Sequence, residues 1–195
     1  MAFVPIALPD ADVQIDPDWL PTAAADVLLS ALLGAIAWEV HRIRLFGRLV
    51  DSPRRSCWIG DPGTAYTYSG TRFEPQPWPA ALMPVRARLC RETGVDFNSV
   101  LANCYRDGRD YMGWHSDNER ALGRRPVIAS LSLGQARRFV FRHRSGSRGK
   151  HELMLPNGAL LLMAGDTQAL YQHTLPATAK PVGARINLTF RRIES

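Results

Sequence analysis

Lysine is nearly absent from this chain of 195 residues: Lys150 and Lys180 are the only two, and every other basic residue is an arginine. The 24 basic residues outnumber the 18 acidic ones and give a formal net charge of +6. An arginine-dominated surplus suits partners whose oxygens accept paired N–H donors, such as carboxylates and phosphates, and equally suits a solvated surface without a specific partner. Cysteine is scarce. Cys57, Cys90 and Cys104 are an odd number without paired spacing, which argues against a disulfide framework. Long apolar runs are missing too; the longest, residues 23–38, contains Asp26 and is too short to span a bilayer. No repeat or low-complexity tract is present, and no basic stretch leads into an apolar core as in a signal peptide. These absences predict a cytoplasmic, soluble protein without membrane contact, expected as a monomer. Its length suffices for one domain with a sizeable core.

What is there changes character along the chain. Residues 1–20 read as an arm with a short alternating segment at 11–15. Thr22 after Pro21 is a candidate N-cap for a helix running to about residue 37. Residues 40–50 alternate around Phe46-Gly47, as a hairpin does. Pro53 and the run Gly60-Asp61-Pro62-Gly63 mark loops, and the Tyr- and Thr-rich segment 64–69 reads as a strand. A second helix is predicted over 79–92, stopped by Thr93-Gly94. Short strands follow at 99–105, 128–133, 138–142, 151–155, 159–163 and 185–192. Helices first and many short strands afterwards predict an α+β fold with a barrel or jelly roll.

His115-Ser116-Asp117 sets an imidazole and a carboxylate two residues apart, so in extended chain both point to one side and can share an ion. Alone the pair is unspecific. His173, following the strand predicted over 159–163, could return to the same end of a barrel. Two histidines and one carboxylate on one face of an ion leave three positions open, the arrangement of non-heme Fe(II) oxygenases. Zinc is the rival metal, although no HExxH helix accompanies these ligands. A loop capped through Asp117, with His173 in a satisfied polar network, is the alternative without a metal.

In the last predicted strand Arg185, Asn187, Thr189 and Arg191 share one face, while Ile186, Leu188 and Phe190 share the other. Two arginines and two hydrogen-bonding side chains on one face can clamp a dicarboxylate beside the metal. A wet edge strand would show the same alternation.

Several segments in this order resemble the AlkB family of nucleic-acid demethylases, in particular its DNA-repair branch. They are Pro53-Arg54, Ala65-Tyr66-Thr67-Tyr68-Ser69-Gly70, Asn103-Cys104-Tyr105-Arg106-Asp107-Gly108, Gly113-Trp114-His115-Ser116-Asp117, Ser130-Leu131-Ser132-Leu133-Gly134, Arg138-Phe139-Val140-Phe141-Arg142 and the strand 185–191. The resemblance covers residues 46–193. It implies one dioxygenase domain over 1–195: a double-stranded β-helix, or jelly roll, at about 99–193, flanking helices, and a nucleotide-recognition lid at about 40–75. It implies Fe(II) on His115, Asp117 and His173, with O2 and 2-oxoglutarate as cosubstrates. Asn103, Tyr105, Arg185, Asn187 and Arg191 would line the 2-oxoglutarate site, with Arg185 on the distal carboxylate and Arg191 nearer the metal. Oxidative decarboxylation to succinate and carbon dioxide would drive hydroxylation of an N-methyl group, whose product releases formaldehyde.

A methyl group on the Watson–Crick edge requires a flipped or unpaired base. The resemblance implies base contacts from Tyr66, Tyr68 and Ser69, with Asn118 and Glu119 nearby and Glu119 bonded to Tyr66. Phe46 would fill the vacated space as a wedge, and Arg48, Arg54, Arg142, Gly149 and Lys150 would follow the backbone. One residue departs from the family pattern. Where members often carry a second acid after the metal-ligand aspartate, this chain has Asn118, which puts preference for cationic bases in question. Alkylated DNA is the expected partner. RNA, a binding module with a silent metal site, and a small-molecule or protein hydroxylase are the alternatives.

Overall fold

Most of the chain is organised by one alternation, in which a strand buries its odd positions on one face and its even positions on the other. The computed structural model describes residues 3–45, 48–68, 71–146 and 149–194; the side chains of 43–49 and 66–72 also lie outside the description. The elements are β1 (Val4–Pro5), β2 (Asp12–Asp16), α1 (Thr22–Ala35), β3 (Arg42–Leu45), β4 (Arg48–Asp51), β5 (Arg55–Gly60), β6 (Tyr66–Tyr68), β7 (Thr71–Phe73), a 3-10 turn at Ala80–Leu82 and α2 (Met83–Thr93). They continue with β8 (Ser99–Tyr105), β9 (Met112–His115), a 3-10 turn at Arg120–Leu122, β10 (Ile128–Gly134), β11 (Arg137–His143), β12 (Lys150–Leu155), β13 (Leu160–Ala164), α3 (Thr167–Leu170), β14 (Tyr171–Leu175) and β15 (Arg185–Arg191).

Seven strands form one sheet in the order β1-β2-β13-β10-β15-β8-β5, and four form a second in the order β12-β11-β14-β9. Neighbouring strands within both sheets are antiparallel, the expected jelly-roll arrangement with flanking helices. The larger sheet is two-faced. Ala129, Leu131, Leu133, Ile186, Leu188 and Phe190 pack with Leu28 and Leu32 of α1 and Leu89 of α2 in one apolar core. A second core fills the space between the sheets, where Ile128, Leu161 and Met163 meet Phe139, Phe141 and Leu175. Neither core needs a disulfide, and all three cysteines are free thiols.

The helix boundaries follow local chemistry. Pro21, not Thr22, occupies the N-cap of α1, without a side-chain bond, and Thr22 is the first helical residue. A fixed φ suits Pro21 to the entry. Gly94 ends α2 at φ 71° with its N–H on Cys90 O, a left-handed cap that glycine adopts without strain.

Three strands depart from the reading of the sequence. β5 is buried at five of its six positions, so it shows no alternation. β9 has four residues, one of them Gly113, and β14 starts directly after α3. The N-terminal arm also belongs to the fold, since β2 pairs along the whole of β13. The hairpin expected at 40–50 is β3 with β4, but Phe46 and Gly47 lie outside the described residues. No helix of the described residues is long and apolar enough to cross a membrane.

Candidate metal centre

The even-odd rule that buries Leu188 against the helices turns Arg185, Asn187, Thr189 and Arg191 toward the other sheet. There they line a pocket with about 410 Å³ of empty space, closed on the opposite side by Met112, Phe139 and Leu175. His115 at the end of β9, Asp117 just beyond it and His173 in β14 enter the same pocket. Antiparallel pairing sets His173 opposite His115, so a separation of 58 positions in sequence becomes one cross-strand pair. One ligand atom from each of the three residues lies within 4.8 Å of the others. The two imidazoles meet edge to face at 4.2 Å, and His173 Nε2 is 3.6 Å from Asp117 Oδ2.

The protonation states suit a cation. Burial pushes His173 down to about 3, helped by the neighbouring His115, and burial lowers His115 as well, so both rings are neutral at ordinary pH. His115 Nδ1 is 2.9 Å from Gly113 O, an acceptor only. That contact makes Nδ1 the protonated nitrogen and leaves the Nε2 lone pair free. Burial alone would raise the Asp117 carboxyl, but the charge and hydrogen bond of Arg191 offset it and hold it ionised. Arg191 Nη2 donates to Asp117 Oδ1, which fixes the carboxylate. Two neutral imidazoles and one carboxylate are a donor set for a divalent metal such as iron.

Arg185 supplies the complementary charge. It is 1% exposed, its Nη2 donates to Ser132 Oγ at 2.8 Å, and among the described residues its Nε and Nη1 have no partner. Burial lowers it to about 10, which leaves it charged at neutral pH. A buried guanidinium with two nitrogens unpartnered is a deficit that an anionic ligand would fill. Tyr105 lies against it, with the Arg185 guanidinium 5.4 Å from the ring centre. Asn103 lines the pocket and accepts from Arg54, and Asn187 donates to Ser130 Oγ at 2.8 Å. The residues present therefore fit a metal beside a carboxylate-bearing cosubstrate.

Other expected residues fall elsewhere. Arg54 is a correction: expected on the nucleic-acid backbone, it is 5% exposed, and its Nε donates to Asn103 Oδ1 at 2.8 Å. Its charge is committed to the pocket wall because a buried donor needs that acceptor. Asn118 is exposed, and Glu119 is half-buried, its Oε2 without a partner among the described residues. Its expected partner Tyr66, together with Tyr68 and Arg48, has its side chain outside the described residues, as do Ser69 and Phe46 entirely. Arg142 is half-buried; Gly149 and Lys150 are exposed.

Two supporting residues escaped the sequence reading. Gln168 Oε1 accepts the Asp117 N–H at 2.9 Å, and no spacing rule announces it. Arg137 donates to the carbonyls of Asp107, Asp110 and Pro176, tying together the loops that follow β8 and β14. The pair Arg137-Arg138 in a strand was a usable signal, since one of two successive strand arginines must face inward.

Residues 12–191 match the family model of the 2OG-Fe(II) oxygenase superfamily. The chain is 44% identical over 168 residues to DNA oxidative demethylase ALKBH2 of Bos taurus, covering 82% of this chain and 59% of the relative. It is 42% identical to the Mus musculus protein of the same name, covering 82% and 68% of the two chains. With the alpha-ketoglutarate-dependent dioxygenase alkB homolog 3 of Homo sapiens it shares 36% identity over 93% of its own length and 66% of the relative's. The chain thus spans about three fifths of the bovine relative's length. The solved structure of OsALKBH1 superposes with a TM-score of 0.69 over 98% of this chain and 100% of that one, at 14% identity, a likeness of fold. The chain belongs to the 2OG-Fe(II) oxygenase superfamily and, within it, to the AlkB family of dioxygenases.

Proposed function

We propose that this protein removes N-linked methyl groups from bases in DNA, of the 1-methyladenine and 3-methylcytosine type, using Fe(II), 2-oxoglutarate and O2. The observation that carries the reading is the meeting of two neutral imidazoles and the Asp117 carboxylate with the two nitrogens of Arg185 that lack a partner among the described residues, all in one pocket. The relatives named DNA oxidative demethylases support the substrate class.

His115, Asp117 and His173 hold the iron. Arg185 takes the distal carboxylate of 2-oxoglutarate, with Asn103, Tyr105 and Asn187 shaping the pocket around it. Arg191 keeps Asp117 oriented, and Gln168 fixes the backbone of that loop. When bound, the metal with its cosubstrates supplies the oxidising chemistry, in which 2-oxoglutarate becomes succinate and carbon dioxide and the methyl group leaves as formaldehyde. Met112, Phe139 and Leu175 give the pocket an apolar wall opposite β15.

Tyr66, Tyr68 and Ser69 are assigned to the flipped base, with Asn118 and Glu119 at the rim. Phe46 is assigned as the wedge, and Arg48, Arg142, Gly149 and Lys150 as backbone contacts. RNA is the second substrate reading, because a pocket for a flipped base need not read the sugar. The free thiols of Cys57, Cys90 and Cys104 suit a monomer in the reducing cytoplasm.

The test is formaldehyde release from methylated single-stranded and duplex oligonucleotides, scored against succinate formed. One formaldehyde per methyl group lost supports the assignment. Succinate formed with 2-oxoglutarate and O2 but without formaldehyde from any methylated DNA or RNA would move the enzyme to another substrate.

A further inference from the structure

Along 114–117 the side chains alternate between two environments. His115 and Asp117 face the pocket, whereas Trp114 and Ser116 turn to the hairpin of β11 and β12. The Arg142 guanidinium lies 4.2 Å from the centre of the Trp114 ring and is steadied by two bonds to Gln172 Oε1, at 3.0 and 2.8 Å. Lys150 Nζ lies 5.9 Å from the same ring. Arg144 Nη2 donates to Ser116 Oγ at 2.9 Å, and the Ser116 hydroxyl donates onward to Tyr171 O at 2.6 Å.

Among the described residues, none of these three cations has an acidic partner. Arg138, on the same strand as Arg142, is paired with Glu152 at 3.1 Å. The sheet thus neutralises one of its arginines and gathers Arg142, Arg144 and Lys150 unneutralised at the hairpin. Like charges repel, so their gathering needs a cause. The electron-rich face of Trp114 attracts two of them, and the Ser116 hydroxyl accepts from the third.

We infer that Trp114 and Ser116 are positioning residues, which hold Arg142, Arg144 and Lys150 as a row of phosphate contacts in register with the metal ligands. The same four residues then set both the metal and the distance from it at which a nucleic-acid backbone lies. This inference rests on the nucleic-acid reading above.

The experiment measures affinity for a methylated oligonucleotide against salt concentration, in wild type and in Trp114→Leu. That substitution removes no charge, so a purely additive basic surface would keep its salt dependence. Released cations should weaken binding about tenfold and reduce the slope of log affinity against log salt by roughly one. Trp114→Phe should restore most of both. 2-Oxoglutarate should still raise the melting temperature of Trp114→Leu, which separates a displaced row from a damaged metal site.

If Trp114→Leu does not fold, a cycle at the other anchor decides. Ser116→Ala and Arg144→Gln should each weaken binding, and the double variant no further than the worse single one. Wild-type binding with an unchanged slope in Trp114→Leu, or fully additive losses in the cycle, would overturn the inference. Absence of oligonucleotide binding in wild type would overturn the nucleic-acid reading, and this inference with it.

Discussion

The two sheets carry the chemistry in different ways. The seven-stranded sheet is backed by helices, and its contribution to the pocket is mostly polar: Arg185, Asn187, Thr189 and Arg191 on β15, Ser130 on β10 and Asn103 on β8, beside Tyr105 of β8 and Met163 of β13. The four-stranded sheet contributes the two histidines of the candidate metal centre from its short strands β9 and β14, whose pairing is irregular just beside the site. In the proposed assignment one sheet is the platform for the cosubstrate, and the other brings the candidate metal ligands together across a cross-strand pair. Binding groups on the first should be separable by mutation from those on the second, and both from the core behind the platform.

The sharpest break lies on the metal side. Asp117→Ala should reduce turnover to background while near-ultraviolet circular dichroism still reports a packed core; retained turnover would refute the ligand assignment. On the cosubstrate side, Arg185→Met should raise the 2-oxoglutarate dissociation constant about a hundredfold, roughly 3 kcal/mol. The same change should stabilise the cosubstrate-free protein, because it removes a buried charge with unpartnered nitrogens. Calorimetry of the two forms checks both signs, and an Arg185→Met protein that melts lower and binds normally would contradict the assignment.

A change behind the platform should do the reverse. Leu131, on the helix side of β10, is fully buried, and Leu131→Ala should cost about 2–5 kcal/mol in denaturant unfolding. Affinity for 2-oxoglutarate in the folded fraction should hardly change. The smallest effect is expected at the exposed end of the fold. Burial alone would raise the Asp61 carboxyl, but bonds from Arg86 and Trp78 offset it and bring it below its ordinary value of 3.8. A depressed carboxylate adds stability above the unfolded value and loses it as pH falls through the folded one. Asp61→Asn should therefore flatten the acid limb of stability below about pH 4 and cost under about 1 kcal/mol at neutral pH. An unchanged acid limb would remove Asp61 from the account.

The platform was more legible in the sequence than the metal strands. β8, β10 and β15 are long, and β15 alternates polar with apolar residues, so its four polar residues could be read off as one face even though both of its faces are buried. β9 and β14 are short, and each turns a histidine into the pocket, against the usual pattern of polar residues facing out. His115, Asp117 and His173 were legible as a set through residue chemistry, and their convergence needed the pairing of β9 with β14. Arg54 was misread because an arginine after a proline looks like a loop cation; only the acceptor on Asn103, 49 positions away, draws it inward. Gln168 carries no sequence signal, since its partner is a main-chain N–H.

The most direct test of the account is anaerobic addition of Fe(II) and 2-oxoglutarate to the protein, followed by visible absorption. The account predicts a charge-transfer band in wild type that is lost in Asp117→Ala and that needs far more 2-oxoglutarate in Arg185→Met. No band in wild type, or an equal band in Asp117→Ala, would contradict it.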